Sequence, residues 1–173
     1  LRESGLPVVD AAKAAEEGLP LFEAAIAREH ERKRGRGIQY PEVEIRSVWR
    51  EVVDSLSRAG VVKGEGVTAE CIEHLAVGYE CRVNPVHPMP EAMPVLRRLQ
   101  DHGVRLGIVS NAQFYTPLLF PALLDRTLPD LGFDAELCAW SCRVGEAKPS
   151  RAIFQPVLEC LREKHGIGPD HVL

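Results

Sequence analysis

The chain reads Val-Arg-Leu-Gly-Ile-Val from Val104 to Val109, and this mostly apolar run leads directly into Ser110-Asn111. A short apolar run bounded by turn signals is typical of a buried strand. A second apolar segment, Ala135 to Trp140, follows after a short helical crossover, and Gly145-Glu146-Ala147-Lys148-Pro149 comes soon after it. The stretch 104–149 therefore predicts two strands, each followed by a residue suited to holding an anion.

Ser110 and Lys148 are the two anion-holding candidates. Ligands of an open parallel sheet lie beyond the carboxyl ends of its strands, where loop N–H groups and helix N-termini favour negative charge. Taken alone, Ser110 could simply cap a helix and Lys148 could be a solvated surface charge. Lys148 stands before a proline, however, which favours an extended backbone. We therefore expect the pair to face a common crevice.

The composition limits the class of protein. A chain of 173 residues fits one domain, or a small core with an inserted subdomain, and its 45% hydrophobic content is enough for a real core. The net charge of -4 argues against a general nucleic-acid binder. No apolar run approaches the length of a membrane span, and no signal segment opens the chain. We expect a cytoplasmic protein without nucleic-acid or membrane partners, and its oligomeric state stays open.

The five cysteines form an odd-numbered set without Cys-x-x-Cys spacing: Cys71, Cys81, Cys138, Cys142 and Cys160. This pattern suggests neither a disulfide framework nor a zinc site. Reduced thiols in a cytoplasm are the simplest interpretation.

Residues 1–84 are predicted to form four helices, because apolar residues recur at helical spacing between Gly and Pro punctuation. Asp10 caps a short first helix that ends near Gly18. Pro20 opens the second helix, which ends in the charged tail 28–36. This tail can be a solvated helix end or an anion contact.

Tyr40-Pro41 begins the third helix, which Gly60 stops. Its apolar positions follow the i, i+3, i+4, i+7 rule: Ile45, Val48, Trp49, Val52, Val53 and Leu56. Thr68 is the predicted N-cap of the fourth helix, which runs to about Arg82. The four helices predict a bundle that is separate from the rest of the chain.

The segment 85–90 is predicted to link the helical part to the sheet part. Pro85, Pro88 and Pro90 remove backbone donors and force extended geometry. His87 within it could be a ligand or a base, although a lone loop histidine is more often neither.

Residues 91–173 alternate between helical and strand patterns, which predicts a right-handed parallel α/β sheet. The predicted order is a helix ending at Gly103, the strand from Val104, a helix over 118–124 and the strand 135–140. A helix over 153–161 follows, and Pro156 should kink it or shift its start. The segment 171–173 is predicted to be a third strand.

These motifs and their order resemble those of the haloacid dehalogenase superfamily of hydrolases. Ile108-Val109-Ser110-Asn111 resembles its second motif, and Gly145-Glu146-Ala147-Lys148-Pro149 resembles its third. The helical part looks like the superfamily's inserted helical cap, and 85–90 looks like the linker that returns to the core. The resemblance implies a partial Rossmann-like core (91–173) with an inserted α-helical cap (1–84).

The resemblance also implies a chemistry. Members use an aspartate nucleophile and form a covalent aspartyl intermediate that water hydrolyses, and most are magnesium-dependent phosphatases. Ser110 would then bond the transferring phosphoryl group, and Lys148 would pair with both that group and the nucleophile. Asn111 would contribute mainly through its backbone N–H. The implied substrate is a small phosphorylated metabolite, and Tyr40, Arg34 and Arg36 are candidates for cap contacts to it.

The first and fourth motifs of the superfamily are not found in the sequence. The early aspartate, Asp10, stands in a helix-start context, and the fourth motif would begin beyond Leu173. We therefore expect the nucleophile and the metal carboxylates to lie outside this chain. The chain alone is expected to bind magnesium poorly and to be inactive.

Two other functions remain open. The first is a catalytically inactive binding protein on the same fold. The second is a receiver-type phosphoacceptor domain, which also places a Ser or Thr and a Lys-Pro at successive strand ends. Receivers carry no large helical insertion, so residues 1–84 argue against the second alternative.

Overall fold

A computed structural model describes residues 2–173 of the chain, apart from the side chain of Arg2. The chain divides into two compact units. The helical unit comprises the residues up to Ile38 together with Val43–Val86, and the α/β unit comprises Gln39–Glu42 and His87–Leu173.

The helical unit contains three α-helices within the described residues, not the four that we predicted: α1 (Ala11–Arg34), α2 (Ile45–Arg58) and α3 (Ala69–Val83). The predicted N-caps of the first and last are confirmed. Asp10 accepts a hydrogen bond from the Lys13 backbone N–H at 3.0 Å, and Thr68 accepts one from the Cys71 N–H at 3.2 Å. Each bond satisfies one of the N–H groups that a helix start leaves without a partner.

The predicted break between Gly18 and Pro20 is wrong, because α1 continues through both residues. Its buried positions form one stripe across the break: Ala14, Gly18, Phe22 and Ala25. Pro20 lies on the exposed side of the helix, where the carbonyl that loses its N–H partner can bond to water. Burial of the continuous stripe therefore outweighs the lost hydrogen bond.

The predicted start of the third helix at Tyr40-Pro41 is also wrong. The helix α2 begins at Ile45, and Glu44 is its N-cap, with a carboxylate oxygen that accepts from the Ser47 N–H at 3.2 Å. Pro41 instead forms an isolated antiparallel bridge with Glu146. The helical pattern seemed to include Tyr40 and Pro41, but these residues pair with the loop 145–147 instead.

An aromatic cluster holds the three helices together. The rings of Phe22 and Trp49 stack at 4.4 Å between centroids, and Tyr79 meets Trp49 edge-on at 5.1 Å. Such pairs stabilise a core by about 0.5–1.5 kcal/mol beyond their area burial. The apolar positions predicted for the α2 face are all buried, and Leu56 has no exposed surface.

The α/β unit contains four α-helices: α4 (Ala92–Asp101), α5 (Leu119–Leu124), α6 (Ser141–Val144) and α7 (Gln155–His165). Its strands are β1 (Leu106–Ser110) and β2 (Phe133–Trp140), which pair in parallel as predicted. Pro156 stands in the first turn of α7, so it shifts the helix start instead of kinking the helix.

The core of the α/β unit lies between β2 and α7. Leu137 and Ala139 are two apart on β2 and so point to one face, where they meet Ile153, Val157 and Leu161. Val109 of β1 packs against the edge of this cluster. The buried cluster therefore sets which face of β2 packs against α7.

The two strands pair out of register near Gly107. Leu106 lies opposite Phe133 and Ile108 opposite Cys138, so β2 uses extra residues at this point. A Cβ atom on Gly107 would lie 2.5 Å from the Leu137 carbonyl oxygen. Glycine is therefore the residue that permits this close approach.

The predicted third strand over 171–173 is wrong. Pro169–His171 forms a 3-10 turn, closed by a bond from the Val172 N–H to the Pro169 carbonyl. Val172 has an extended backbone, but it pairs with neither β1 nor β2. An extended residue becomes part of a sheet only through such pairing.

The chain therefore has a mixed α/β fold, with a partial Rossmann-like parallel core and a helical bundle. Among the helices of residues 2–173, none combines the length and the apolar character that crossing a membrane requires.

Candidate functional site

Ser110 is the last residue of β1, and it lies opposite Trp140, the last residue of β2. Both strands therefore end at the same edge of the sheet. The Ser110 side chain is half-buried, and its hydroxyl has one long contact, 3.4 Å, with the Asn111 carbonyl oxygen. A contact of that length is weak, so the hydroxyl can turn to a stronger acceptor at little cost.

Lys148 reaches the same strand end from the loop that follows α6. Its ammonium Nζ donates to the carbonyl oxygen of Val109, the residue before Ser110, at 3.1 Å. The side chain is exposed. An ammonium group has three donors, so this bond leaves donors for an approaching anion.

Asn111 joins the two strand-end loops through its side chain. Its Oδ1 accepts from the Lys148 backbone N–H at 2.6 Å, and its Nδ2 donates to the Lys148 carbonyl oxygen at 3.4 Å. The amide therefore holds the Lys148 backbone mainly through the short Oδ1 bond, and the 3.4 Å contact of Nδ2 is weak. The sequence pointed to the Asn111 backbone N–H and did not indicate this role of the side chain.

Ser141 and Glu42 are further residues that the sequence did not single out. The Ser141 hydroxyl is completely buried; it accepts from the Ala112 N–H at 2.8 Å and donates to the Glu42 carboxylate at 2.7 Å. The other oxygen of Glu42 accepts from the Gln113 side-chain amide at 3.3 Å. One signal for Ser141 was available, because it directly follows β2, as Ser110 ends β1.

The loop before Lys148 is paired with the segment 39–42. The Glu42 N–H donates to the Gly145 carbonyl at 3.1 Å, and the Ala147 N–H donates to the Tyr40 carbonyl at 2.9 Å. Gly145 itself has φ of 86°, in the left-handed region that glycine tolerates best. The loop therefore leaves α6 in a fixed direction.

Two of the other candidate residues, Arg34 and Arg36, belong to the helical unit, whereas Tyr40 and His87 belong to the α/β unit. Arg34 ends α1 and Arg36 follows it, and both are exposed. Tyr40 contributes its backbone carbonyl to the loop pairing, while its side chain is 37% exposed. His87 is exposed.

The groups that meet at this edge suit an anion and do not suit a metal cation. They are a hydroxyl, a carboxamide and an ammonium, and the nearby carboxylate of Glu42 is already bonded to Ser141 and Gln113. Magnesium prefers several oxygen ligands, usually including a carboxylate. Within residues 2–173, no three His, Cys, Asp or Glu side chains are grouped closely enough to hold a metal ion.

Fold and site together define an α/β protein whose polar and cationic side chains gather at the strand ends of a parallel sheet. A family model described as a hydrolase, the haloacid dehalogenase-like hydrolase model, matches residues 4–173. The chain therefore belongs to the haloacid dehalogenase-like hydrolases. Comparisons with curated proteins and with solved structures gave no match.

Proposed function

We propose that this chain is the phosphate-holding part of a phosphatase that acts on a small phosphorylated metabolite. The observation that carries the proposal is the position of the Lys148 ammonium, 3.1 Å from the Val109 carbonyl and next to Ser110 at the end of β1. Membership of a hydrolase family supports it.

In the proposed reaction, an aspartate carboxylate attacks the phosphorus atom, the P–O ester bond breaks, and the released alkoxide takes a proton from solvent to leave as the alcohol. Water then hydrolyses the aspartyl phosphate. Two anions repel at the approach, and the Lys148 ammonium offsets that repulsion while Ser110 donates its hydroxyl to a phosphoryl oxygen. The attacking aspartate is proposed to come from outside this chain, because within the described residues the hydrogen bonds of Ser110, Asn111 and Lys148 involve no aspartate.

We propose magnesium as a cofactor of the complete protein only. The family resemblance implies it, but the described residues offer no ligand set for it. Further carboxylates would have to supply one. The helical unit is proposed to act as a cap that selects the substrate and excludes water.

The test uses the complete protein, containing this chain and the expected aspartates, with 4-nitrophenyl phosphate and Mg²⁺. We expect Lys148→Ala to lower kcat about 100-fold or more, because it removes a charge that acts on the transition state. Lys63→Ala is the matched control, since Lys63 is exposed in the helical unit. Turnover by Lys148→Ala equal to that of the parent protein would exclude the proposed role.

A binding protein without catalysis is the second candidate. It is favoured by the lack of a carboxylate cluster within residues 2–173. Binding of inorganic phosphate by the complete protein, without hydrolysis of any phosphate ester and with loss of binding in Lys148→Ala, would support this candidate.

A further inference from the structure

The Ser141 hydroxyl joins two segments that are far apart in the sequence, the loop at Ala112 and the segment at Glu42. It is 0% exposed, and its two short bonds run to the Ala112 N–H (2.8 Å) and to the Glu42 carboxylate (2.7 Å). A third contact, 3.3 Å to the Ala112 carbonyl, is longer. Because a hydroxyl has one proton, it donates to the carboxylate and accepts from the N–H.

Glu42 adds a second tie to the same loop. Its Oε1 accepts from the Gln113 side-chain amide at 3.3 Å, while its Oε2 accepts from Ser141. Hydrogen bonds to an ionised acceptor are about twice as strong as neutral ones. The carboxylate therefore fixes the turn that begins one residue after Asn111.

The backbone around Glu42 holds the other loop of the site. Residues 40–42 pair antiparallel with 145–147 through the Glu42 N–H to Gly145 bond and the Ala147 N–H to Tyr40 bond. Lys148 follows directly after this paired stretch. One short segment thus grips the Ser110 loop with a side chain and the Lys148 loop with its backbone.

We infer that Glu42 and Ser141 are positioning residues that set the distance between Ser110 and Lys148 at the strand ends. Neither residue is assigned contact with the phosphoryl group, because both oxygens of Glu42 and the Ser141 proton are already bonded. The inference rests on the proposed function for its effect on catalysis. Its structural part stands on the bonds alone.

The catalytic test compares kcat and KM for 4-nitrophenyl phosphate in variants of the complete protein. Removing the tie with Ser141→Ala or Glu42→Ala is expected to lower kcat about 10-fold to 100-fold, since a misplacement of 1 Å can cost about 100-fold. KM is expected to change less than kcat. Glu42→Gln keeps an acceptor for the Ser141 proton and should recover part of the loss.

The kcat of the double variant tests whether Glu42 and Ser141 act together. Because Glu42 and Ser141 act through one bond, Ser141→Ala with Glu42→Ala is expected to cost about as much as the worse single change. Glu159→Gln is the matched control for Glu42→Gln, because Glu159 is an exposed residue of α7. It should leave kcat unchanged.

Amide hydrogen exchange tests the positioning without relying on turnover. The Ala112 amide should exchange faster in Ser141→Ala than in the parent protein. If Ser141→Ala does not fold, the same measurement is made on Glu42→Gln. If the parent protein hydrolyses no phosphate ester, the proposed function fails, and faster exchange still supports the tie. Parent-like kcat together with parent-like Ala112 exchange in these variants would overturn the inference.

Discussion

Asn111 holds Lys148 by its backbone, with Oδ1 2.6 Å from the lysine N–H and Nδ2 3.4 Å from its carbonyl oxygen. The lysine ammonium is held separately, by the Val109 carbonyl at 3.1 Å. The end of β1 therefore fixes both the origin and the tip of the Lys148 side chain. A residue that looked like a backbone N–H donor also orients the cation.

Replacing Asn111 should therefore disturb Lys148. We expect Asn111→Ala in the complete protein to lower kcat for 4-nitrophenyl phosphate about 10-fold to 100-fold, because a small shift of a charged group weakens its action on the transition state. Asn84→Ala is the matched control, since Asn84 is the chain's other asparagine and lies at the end of α3. Equal losses in the two variants would show a general effect on folding and not a specific one on Lys148.

Gly107 should resist any side chain. A methyl group at Gly107→Ala would meet the Leu137 carbonyl oxygen at 2.5 Å and the Leu137 Cβ at 2.8 Å, so the strands must move apart. We expect a loss of about 1–3 kcal/mol in the free energy of unfolding, measured by urea denaturation. Gly168→Ala, where no atom lies within 4 Å of the new Cβ, should stay within about 0.5 kcal/mol of the parent.

The pKa of Asp130 should lie below the ordinary aspartate value. The Thr127 hydroxyl donates to its carboxylate at 2.6 Å and the Thr127 N–H at 2.9 Å, and these bonds lower the pKa of Asp130. Its contribution to stability is thus present above the unfolded pKa of about 3.9, and it is lost as the pH falls through the lower folded value. Carbon-13 NMR titration should show the pKa of Asp130 rising in Thr127→Ala and staying low in Thr127→Ser.

Cys71 and Cys138 should differ in reactivity. The Thr68 hydroxyl donates to the Cys71 sulfur at 3.3 Å and lowers the pKa of that thiol, whereas burial raises the pKa of Cys138. The thiolate is the reactive form, so iodoacetamide at pH 8 should modify Cys71 at least about tenfold faster. Mass spectrometry over time measures both rates. Thr68→Ala should slow Cys71, Thr68→Ser should not, and faster labelling of Cys138 would contradict the assignment.

Local sequence patterns predicted the helices and strands well where packing followed those patterns. The α2 face, the α3 cap at Thr68 and the parallel pair of β1 and β2 were all predicted. One error fell where a distant contact decided the outcome. Tyr40-Pro41 looked like a helix start, but these residues pair with the loop before Lys148.

Some residues of the candidate site could be selected from local sequence, and others could not. Ser110 and Lys148 could be selected because Ser110 directly follows one predicted strand and Lys148 lies in the loop region after the next. Glu42 and Ser141 could not be paired in advance, because 99 positions separate them in the chain. A local sequence pattern does not predict a hydrogen bond between residues so far apart in the chain.

The sequence by itself determined the class of fold, and it selected Ser110 and Lys148 as candidates for holding an anion. Strand and helix periodicity are local properties, and the strand-end residues follow from them. Only the tertiary structure decided how those side chains are held, through the Asn111 amide and the Ser141 to Glu42 bond. Hydrogen-bond partners from separate loops become neighbours only after the sheet has formed, so their geometry is a property of the packed chain.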